Sequence, residues 1–230
     1  MVAVRRLKHL RTYEVALTKH GFGPVAGVDE AGRGACAGPL TIAACILPER
    51  PIADLAELTD SKKLSPSKRA VLAPIIQRVA CAWSVLHISA EDIDREGIQQ
   101  ANILGMRLAI ALLDVQPGYV LTDAWHVPGL RCPSLGIIGG DAAARCIAAA
   151  SVLAKHARDT LMDGLDVDYP EYGFASHKGY GTRVHMDAVR LHGGSPVHRY
   201  SYANVAAAHK EWLGCHTDNV QGMKGGNDER

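Results

Sequence analysis

Residues 27–40 read GVDEAGRGACAGPL and set two acids, an arginine and four glycines within fourteen positions. Before the acids stands an apolar lead-in, Pro24-Val25-Ala26-Gly27-Val28, and after the glycines a β-rich run, TIAACIL, at 41–47. Apolar and β-branched runs of this length on either side of a glycine-rich corner predict two strands of a hairpin, with Asp29 and Glu30 closing the first. Glycine in such a corner lets backbone approach a ligand and offer bare amide donors.

Further along the chain, CAWSVLHIS at 81–89 reads as a third strand, and GYVLTDA at 118–124 and LGIIGGD at 135–141 as two more, each finishing near an aspartate. Ser65-Pro66 opens a helix with a serine cap and a proline in its first turn. Ser89 followed by Glu91 and Asp92 starts another helix, which the apolar spacing of Ile98, Ala101, Leu104, Leu108 and Leu112 extends to about residue 115. A further helix is expected over 142–164, then a helical, loop-rich C-terminal part. Residues 214–230 are polar and glycine-rich and are expected to be disordered. At the other end, Arg5-Arg6-Leu7-Lys8-His9-Leu10-Arg11 predicts a short solvated helix whose apolar face continues through Tyr13, Val15 and Leu17. Strands in succession, then helices alternating with strands, imply an α/β protein with a mixed sheet covered by helices.

Bulk properties narrow the function. With 230 residues, 47% of them hydrophobic, the chain can bury a sizeable core. A net charge of +1 rules out a global basic field, so any polyanion site must be a local patch. The cysteines at 36, 45, 81, 132, 146 and 215 form no CxxC pair and fit free thiols in a reducing compartment. No apolar stretch reaches membrane-spanning length and the start carries no secretory pattern, so the expectation is a cytoplasmic protein with no membrane partner.

Asp29, Glu30, Asp123 and Asp141 are four carboxylates closing three predicted strands. Singly, each fits an ordinary turn residue. If the strands are neighbours, the acids converge, and their repulsion calls for a cation. Oxygen donors with no His or Cys at ligand spacing suit Mg²⁺ or Mn²⁺, which complete their shells with water and phosphate oxygens. That is a phosphoryl-transfer site. One difficulty is built in, because successive strand residues face opposite ways, so Asp29 and Glu30 share a site only if the strand frays or bulges. A rival reading comes from Gly32-Arg33-Gly34-Ala35-Cys36-Ala37, which satisfies the dinucleotide-binding pattern GxGxx[GA]. That pattern needs a helix next, whereas Pro39 and a strand follow here.

Four long motifs in order carry a resemblance. They are Asp29-Glu30-Ala31-Gly32-Arg33-Gly34, Asp60-Ser61-Lys62-Lys63-Leu64-Ser65, the AAASVLAK run at 148–155, and the YGFASHKGYG run at 172–181. Together they resemble the bacterial ribonuclease HII family over about residues 25–207. The resemblance implies a ribonuclease H-like fold, a mixed five-stranded sheet flanked by helices with a C-terminal helical segment, in one catalytic domain over 1–213. It implies hydrolysis of the RNA strand of RNA/DNA hybrids, and incision on the 5′ side of single ribonucleotides in duplex DNA, leaving 5′-phosphate and 3′-hydroxyl ends. By position, Asp29, Glu30, Asp123 and Asp141 match the family's catalytic, metal-binding carboxylates, which would hold two Mn²⁺ or Mg²⁺ ions with substrate bound. Gly32, Arg33 and Gly34 match the backbone that reads the ribose 2′-OH, and Tyr180 the tyrosine that packs on the next sugar. Lys62, Lys63, Ser151 and Lys155 match phosphate contacts. The expected partners are RNA/DNA hybrid and ribonucleotide-containing duplex DNA, with no obligate protein partner, and the protein is expected to be a monomer. Two departures stand out. Gly139 replaces a lysine that many relatives carry, and Asp123 is followed by Ala124-Trp125-His126 rather than Gly-Asn. Against the nuclease stand a hybrid-binding protein without catalysis and the oxidoreductase of the near-fingerprint.

Overall fold

A computed structural model describes residues 10–222, the last six by backbone alone. Five strands form one mixed sheet: β1 (Val25–Ala31), β2 (Leu40–Ile46), β3 (Ala82–Ile88), β4 (Tyr119–Asp123) and β5 (Ser134–Ile137). Their spatial order is β3-β2-β1-β4-β5. The hairpin expected around the glycine corner is present, with β1 and β2 antiparallel and in unbroken register from Ala26↔Ile46 to Ala31↔Thr41. β4 lies parallel to β1, and β5 parallel to β4, which makes β1, β4 and β5 neighbours. Every residue of β2 is buried, as its largely apolar sequence requires, and the one hydroxyl, on Thr41, is satisfied by His87 Nδ1 at 2.8 Å.

The helices are α1 (Thr12–Lys19), α2 (Pro66–Val79), α3 (Ala90–Glu96), α4 (Ile98–Ala111), α5 (Arg145–Asp168), α6 (Phe174–His177), α7 (Arg183–His192) and α8 (Ala203–Gly222). Ser65 caps α2 as expected, its hydroxyl accepting from Lys68 N. The single helix predicted from Ser89 to residue 115 is instead two. Gly97 stands between α3 and α4 with φ +79° and ψ 144°, a conformation that ends a helix and that only glycine adopts without strain. The helix expected over 142–164 runs later, from Arg145 to Asp168. The expected disorder from 214 is corrected in part. α8 continues to Gly222, because Gly214 alone weakens a helix by only about 1 kcal/mol and no proline follows. Residues 223–230 lie outside the described residues, as does most of the predicted N-terminal basic helix. No described helix is long and apolar enough to cross a membrane.

Two compact units make up the chain. The first comprises Met1–Arg33, Leu40–Ile88 and Ile98–Arg158, and so contains the whole sheet. On one sheet face, Ala31, Ala43 and Cys45 pack with Leu55, Leu72 and Ile76 and with the alanine-rich turn Ala148–Ala150 of α5. Small residues set this spacing: a Cβ on Gly27 would fall 2.1 Å from the Cys146 carbonyl carbon, so the start of α5 lies against bare strand. On the opposite face α4 seats through Gly105, whose missing side chain admits Ile42 Cδ1. The N-terminus of α5 is capped from afar, Glu14 Oε1 in α1 accepting from Cys146 N at 2.8 Å.

The second unit comprises Gly34–Pro39, Ser89–Gly97 and the chain from Asp159 onward. Its core gathers Cys36, Met162, Tyr172, Phe174, Met186, Val189 and Val205. Buried in it are His185 and His198, with Nε2 atoms 3.0 Å apart. Ser195 N donates to His198 Nδ1, so the His198 proton sits on Nε2 and is donated to His185; His185 Nδ1 in turn donates to the Tyr180 carbonyl.

Candidate active site

The first unit brings Asp29, Asp123 and Asp141 together at the end of the sheet. One oxygen of each lies within 4.8 Å of the other two, a spacing from which three carboxylates can ligate a single ion. Asp29 comes from the body of β1, opposite Ala43, and Asp123 is the last residue of β4. Asp141 is not a strand end as predicted. β5 stops at Ile137, and Gly139 in the left-handed region turns the chain into a 3-10 turn, Gly140–Ala142, that carries the acid back. Gly140 N donates to Asp123 Oδ1 at 2.8 Å, so this turn also orients the neighbouring acid.

Glu30 stands apart from that trio. β1 neither frays nor bulges, so Glu30 shares the face of its partner Ile42, on the α4 side, whereas Asp29 shares the face of Ala43, on the α5 side. Oε1 of Glu30 accepts from Trp125 Nε1 at 3.2 Å, and Oε2 is buried without a hydrogen-bond partner among the described residues. The site thus offers one unsatisfied carboxylate oxygen in addition to the trio.

Charge crowding is written into these acids. Burial, with the negative charges of Glu30 and Asp123 adding to it, raises Asp29 well above the usual carboxylate range, although the Ser151 hydroxyl donates to it. Burial lifts Glu30 to about 7, against the pull of Trp125 and Arg33. Asp141 is raised by burial, and Lys62 at 3.3 Å partly offsets the rise. For Lys62 burial acts downward, but Asp141, Asp29 and Asp60 outweigh it and its pKa ends above the ordinary lysine value. Lys62 is therefore the cation beside Asp141 that Gly139 does not supply. A cluster of hard oxygen donors, too crowded to ionise fully alone and holding an orphaned oxygen, fits a divalent cation.

The other expected residues fall into place unevenly. Gly32 is buried with φ +84°, and a Cβ there would meet Arg158 Nε at 1.8 Å. Arg33 lays its guanidinium over the Trp125 ring, 4.7 Å from the centroid. Gly34 is exposed, has no positive φ and begins the second unit. Lys63 reaches Asp60 at 3.9 Å and is otherwise open to solvent. Ser151 is buried, sits 2.8 Å from Ser61 Oγ, and lies close enough to Asp29 for its hydroxyl to lower that acid's pKa. Lys155 lies one turn further along α5, half-buried. Tyr180 belongs to the second unit, 40% exposed, with its backbone held by His177, Thr182 and His185. Trp125 is the participant that the sequence reading missed. It showed only as a departure from a pattern, and nothing local marks an indole that reaches a residue 95 positions away.

Known proteins match this arrangement. A family model described as ribonuclease HII matches residues 26–205. Ribonuclease HII of Corynebacterium diphtheriae is 73% identical over 210 residues, covering 91% of this chain and 92% of the relative. That of Mycobacteroides abscessus is 57% identical, covering 89% and 88%. Among solved structures, ribonuclease H2 from Pyrococcus horikoshii OT3 superposes with a TM-score of 0.72 at 24% identity, over 82% of this chain and 98% of that one. Bst-RNase HIII in complex with Mn²⁺ does so with a TM-score of 0.63 at 19% identity, over 86% and 73%. The sheet order and flanking helices are thus a ribonuclease H-like fold, and by sequence the chain belongs to the ribonuclease HII family, a family of endonucleolytic hydrolases.

Proposed function

We propose that this endoribonuclease cleaves the RNA strand of RNA/DNA hybrids and also incises on the 5′ side of a single ribonucleotide in duplex DNA, leaving 5′-phosphate and 3′-hydroxyl ends. The observation that carries the reading is the approach of Asp29, Asp123 and Asp141 to within 4.8 Å. With Glu30 they would hold two ions, Mn²⁺ or Mg²⁺, the cation for which Bst-RNase HIII is described being Mn²⁺. Bound ions would supply a water acidified toward neutral pH and positive charge beside the departing 3′ oxygen.

The protein's own groups do the rest. The Glu30 amide, at 2.8 Å, and the nearby Ser151 hydroxyl support the Asp29 carboxylate within reach of Asp123 and Asp141. The Gly140 amide does the same for Asp123. Lys62, with its side chain 77% exposed, neutralises Asp141 and can turn to a phosphate as the strand arrives. Lys63 and Lys155 add phosphate contacts. The peptide units at Gly32, Arg33 and Gly34 face the 2′-OH, the group that distinguishes RNA from DNA, and Tyr180 stacks on the following sugar. In this reading residues 1–213 act as one catalytic domain, as a monomer and without an obligate protein partner.

The test is a labelled DNA duplex with one ribonucleotide, incubated with Mn²⁺, Mg²⁺ or chelator, with the cut position mapped. A single nick 5′ of the ribonucleotide, lost in chelator, is expected. Asp29→Asn is expected to lower cleavage at least about 10³-fold while raising stability by about 1–2 kcal/mol in chelator, since it removes a buried charge from a crowded site. Unchanged cleavage by this variant would refute the assignment.

A further inference from the structure

The segment after β4 places one side chain against two members of the site at once. Trp125 Nε1 donates to Glu30 Oε1 at 3.2 Å, and the Arg33 guanidinium lies 4.7 Å above the centre of the same indole. Both are directional contacts, one to the ring edge and one to its face.

The backbone is shaped to deliver this ring. Ala124 takes φ +62°, a left-handed conformation that an alanine adopts only under constraint. Trp125 N donates back to Asp123 O at 2.9 Å, closing a tight turn directly on a catalytic acid. Thr122 Oγ1 donates to the Trp125 carbonyl. Gly136 of β5 leaves room, since a Cβ there would stand 2.7 Å from that carbonyl oxygen. Four separate features thus fix the Trp125 backbone, and the side chain it presents is half-buried.

We propose that Trp125 is a positioning residue that clamps Glu30 and Arg33 in a single arrangement. Its N–H holds one carboxylate oxygen and leaves the other, the unpartnered Oε2, facing the site; its ring face holds the arginine of the glycine corner. The inference rests on the proposed function for what Glu30 and Arg33 do, and it couples the two: the carboxylate that completes the metal site and the loop that meets the ribose share one support. Without that support Glu30, on the opposite strand face from Asp29, keeps no side-chain hydrogen bond among the described residues to direct its carboxylate.

The experiment compares wild type with Trp125→Phe, which keeps the ring and loses the N–H, Trp125→His, which keeps a ring donor, and Trp125→Leu, which loses both contacts. Mn²⁺ binding to the substrate-free protein is read from the electron paramagnetic resonance signal of free Mn²⁺, with folding checked by circular dichroism. Cleavage of the single-ribonucleotide duplex is separated into kcat and KM. Trp125→Phe is expected to weaken Mn²⁺ binding about tenfold to a hundredfold and to lower kcat with little change in KM. Trp125→His is expected to recover most of that loss. Trp125→Leu is expected to raise KM a further two- to fivefold or so, because Arg33 loses its ring. Mn²⁺ binding by folded Trp125→Phe equal to wild type overturns the proposal, and Trp125→Leu repeats that measurement should the Phe variant not fold. Weaker Mn²⁺ binding by the variants in a protein that never nicks the duplex upholds the clamp and overturns the proposed function instead.

Discussion

At Gly32 the backbone has φ +84°, and a Cβ would sit 1.8 Å from Arg158 Nε, a fully buried side chain; at Gly34, two residues on, φ is unexceptional and nothing lies within 4 Å. An identical substitution at the two positions therefore has unlike outcomes. Gly32→Ala meets both a left-handed backbone and an immovable guanidinium, and is expected to cost about 2–4 kcal/mol in urea unfolding. Gly34→Ala is expected to stay within about 0.5 kcal/mol of wild type. Equal melting curves for the two variants would contradict this account of the corner. Both glycines were visible in the sequence, but not this inequality, since it depends on Arg158, 126 positions away on α5. The same limit explains Ser151, whose helix spacing with Lys155 is legible while its bond to Asp29 is not. Acids are easier to read, because type and placement at strand ends carry the chemistry. Even so, strand alternation left Glu30 undecided, and the unbroken register answers it by putting Glu30 on the face opposite Asp29.

Among the elements, strands were the most legible, since β1 to β5 each follow an apolar run bounded by turn residues. Helix boundaries were less so. The apolar spacing from Ile98 onward does belong to one helix, but Gly97 divides it from α3, and periodicity alone cannot tell a tolerated glycine from a break. Gly97→Ala tests the point. No atom lies within 4 Å of the added Cβ, so any penalty is conformational, and about 1–3 kcal/mol is expected in chemical denaturation. A variant as stable as wild type would mean that the two helices can merge. The α5 cap was invisible for a different reason: the carboxylate that satisfies Cys146 N belongs to Glu14, far outside any local capping motif.

Across the whole chain, the strongest response to acid is expected from the second unit. Burial, joined by the neighbouring imidazoles, holds His185 down to about 4 and His198 to about 3. Unfolded, both titrate near 6.5, so between that value and 3–4 the unfolded chain binds protons that the native chain refuses. Stability is then complete above about pH 6.5 and falls as pH drops through this window, by about 1.4 kcal/mol for each unit of separation per histidine. His185→Gln, which removes one of the two sites, is expected to flatten the dependence of melting temperature on pH between 6.5 and 4, and an unaltered slope would show that the pair is not responsible. The titration of this pair is not legible in the sequence, because it depends on burial that the packing of Phe174, His177 and Ser195 around the two rings creates.

The bare strand at Gly27 carries a last consequence. Ser151 can hold Asp29 only because α5 rides close to the sheet, and that closeness exists only because position 27 has no side chain where Cys146 passes. A methyl group there would lift the helix like a shim under a hinge and draw the serine hydroxyl away from its acid. In a saturation screen for activity, this apolar site with no chemistry of its own should tolerate change as poorly as a carboxylate.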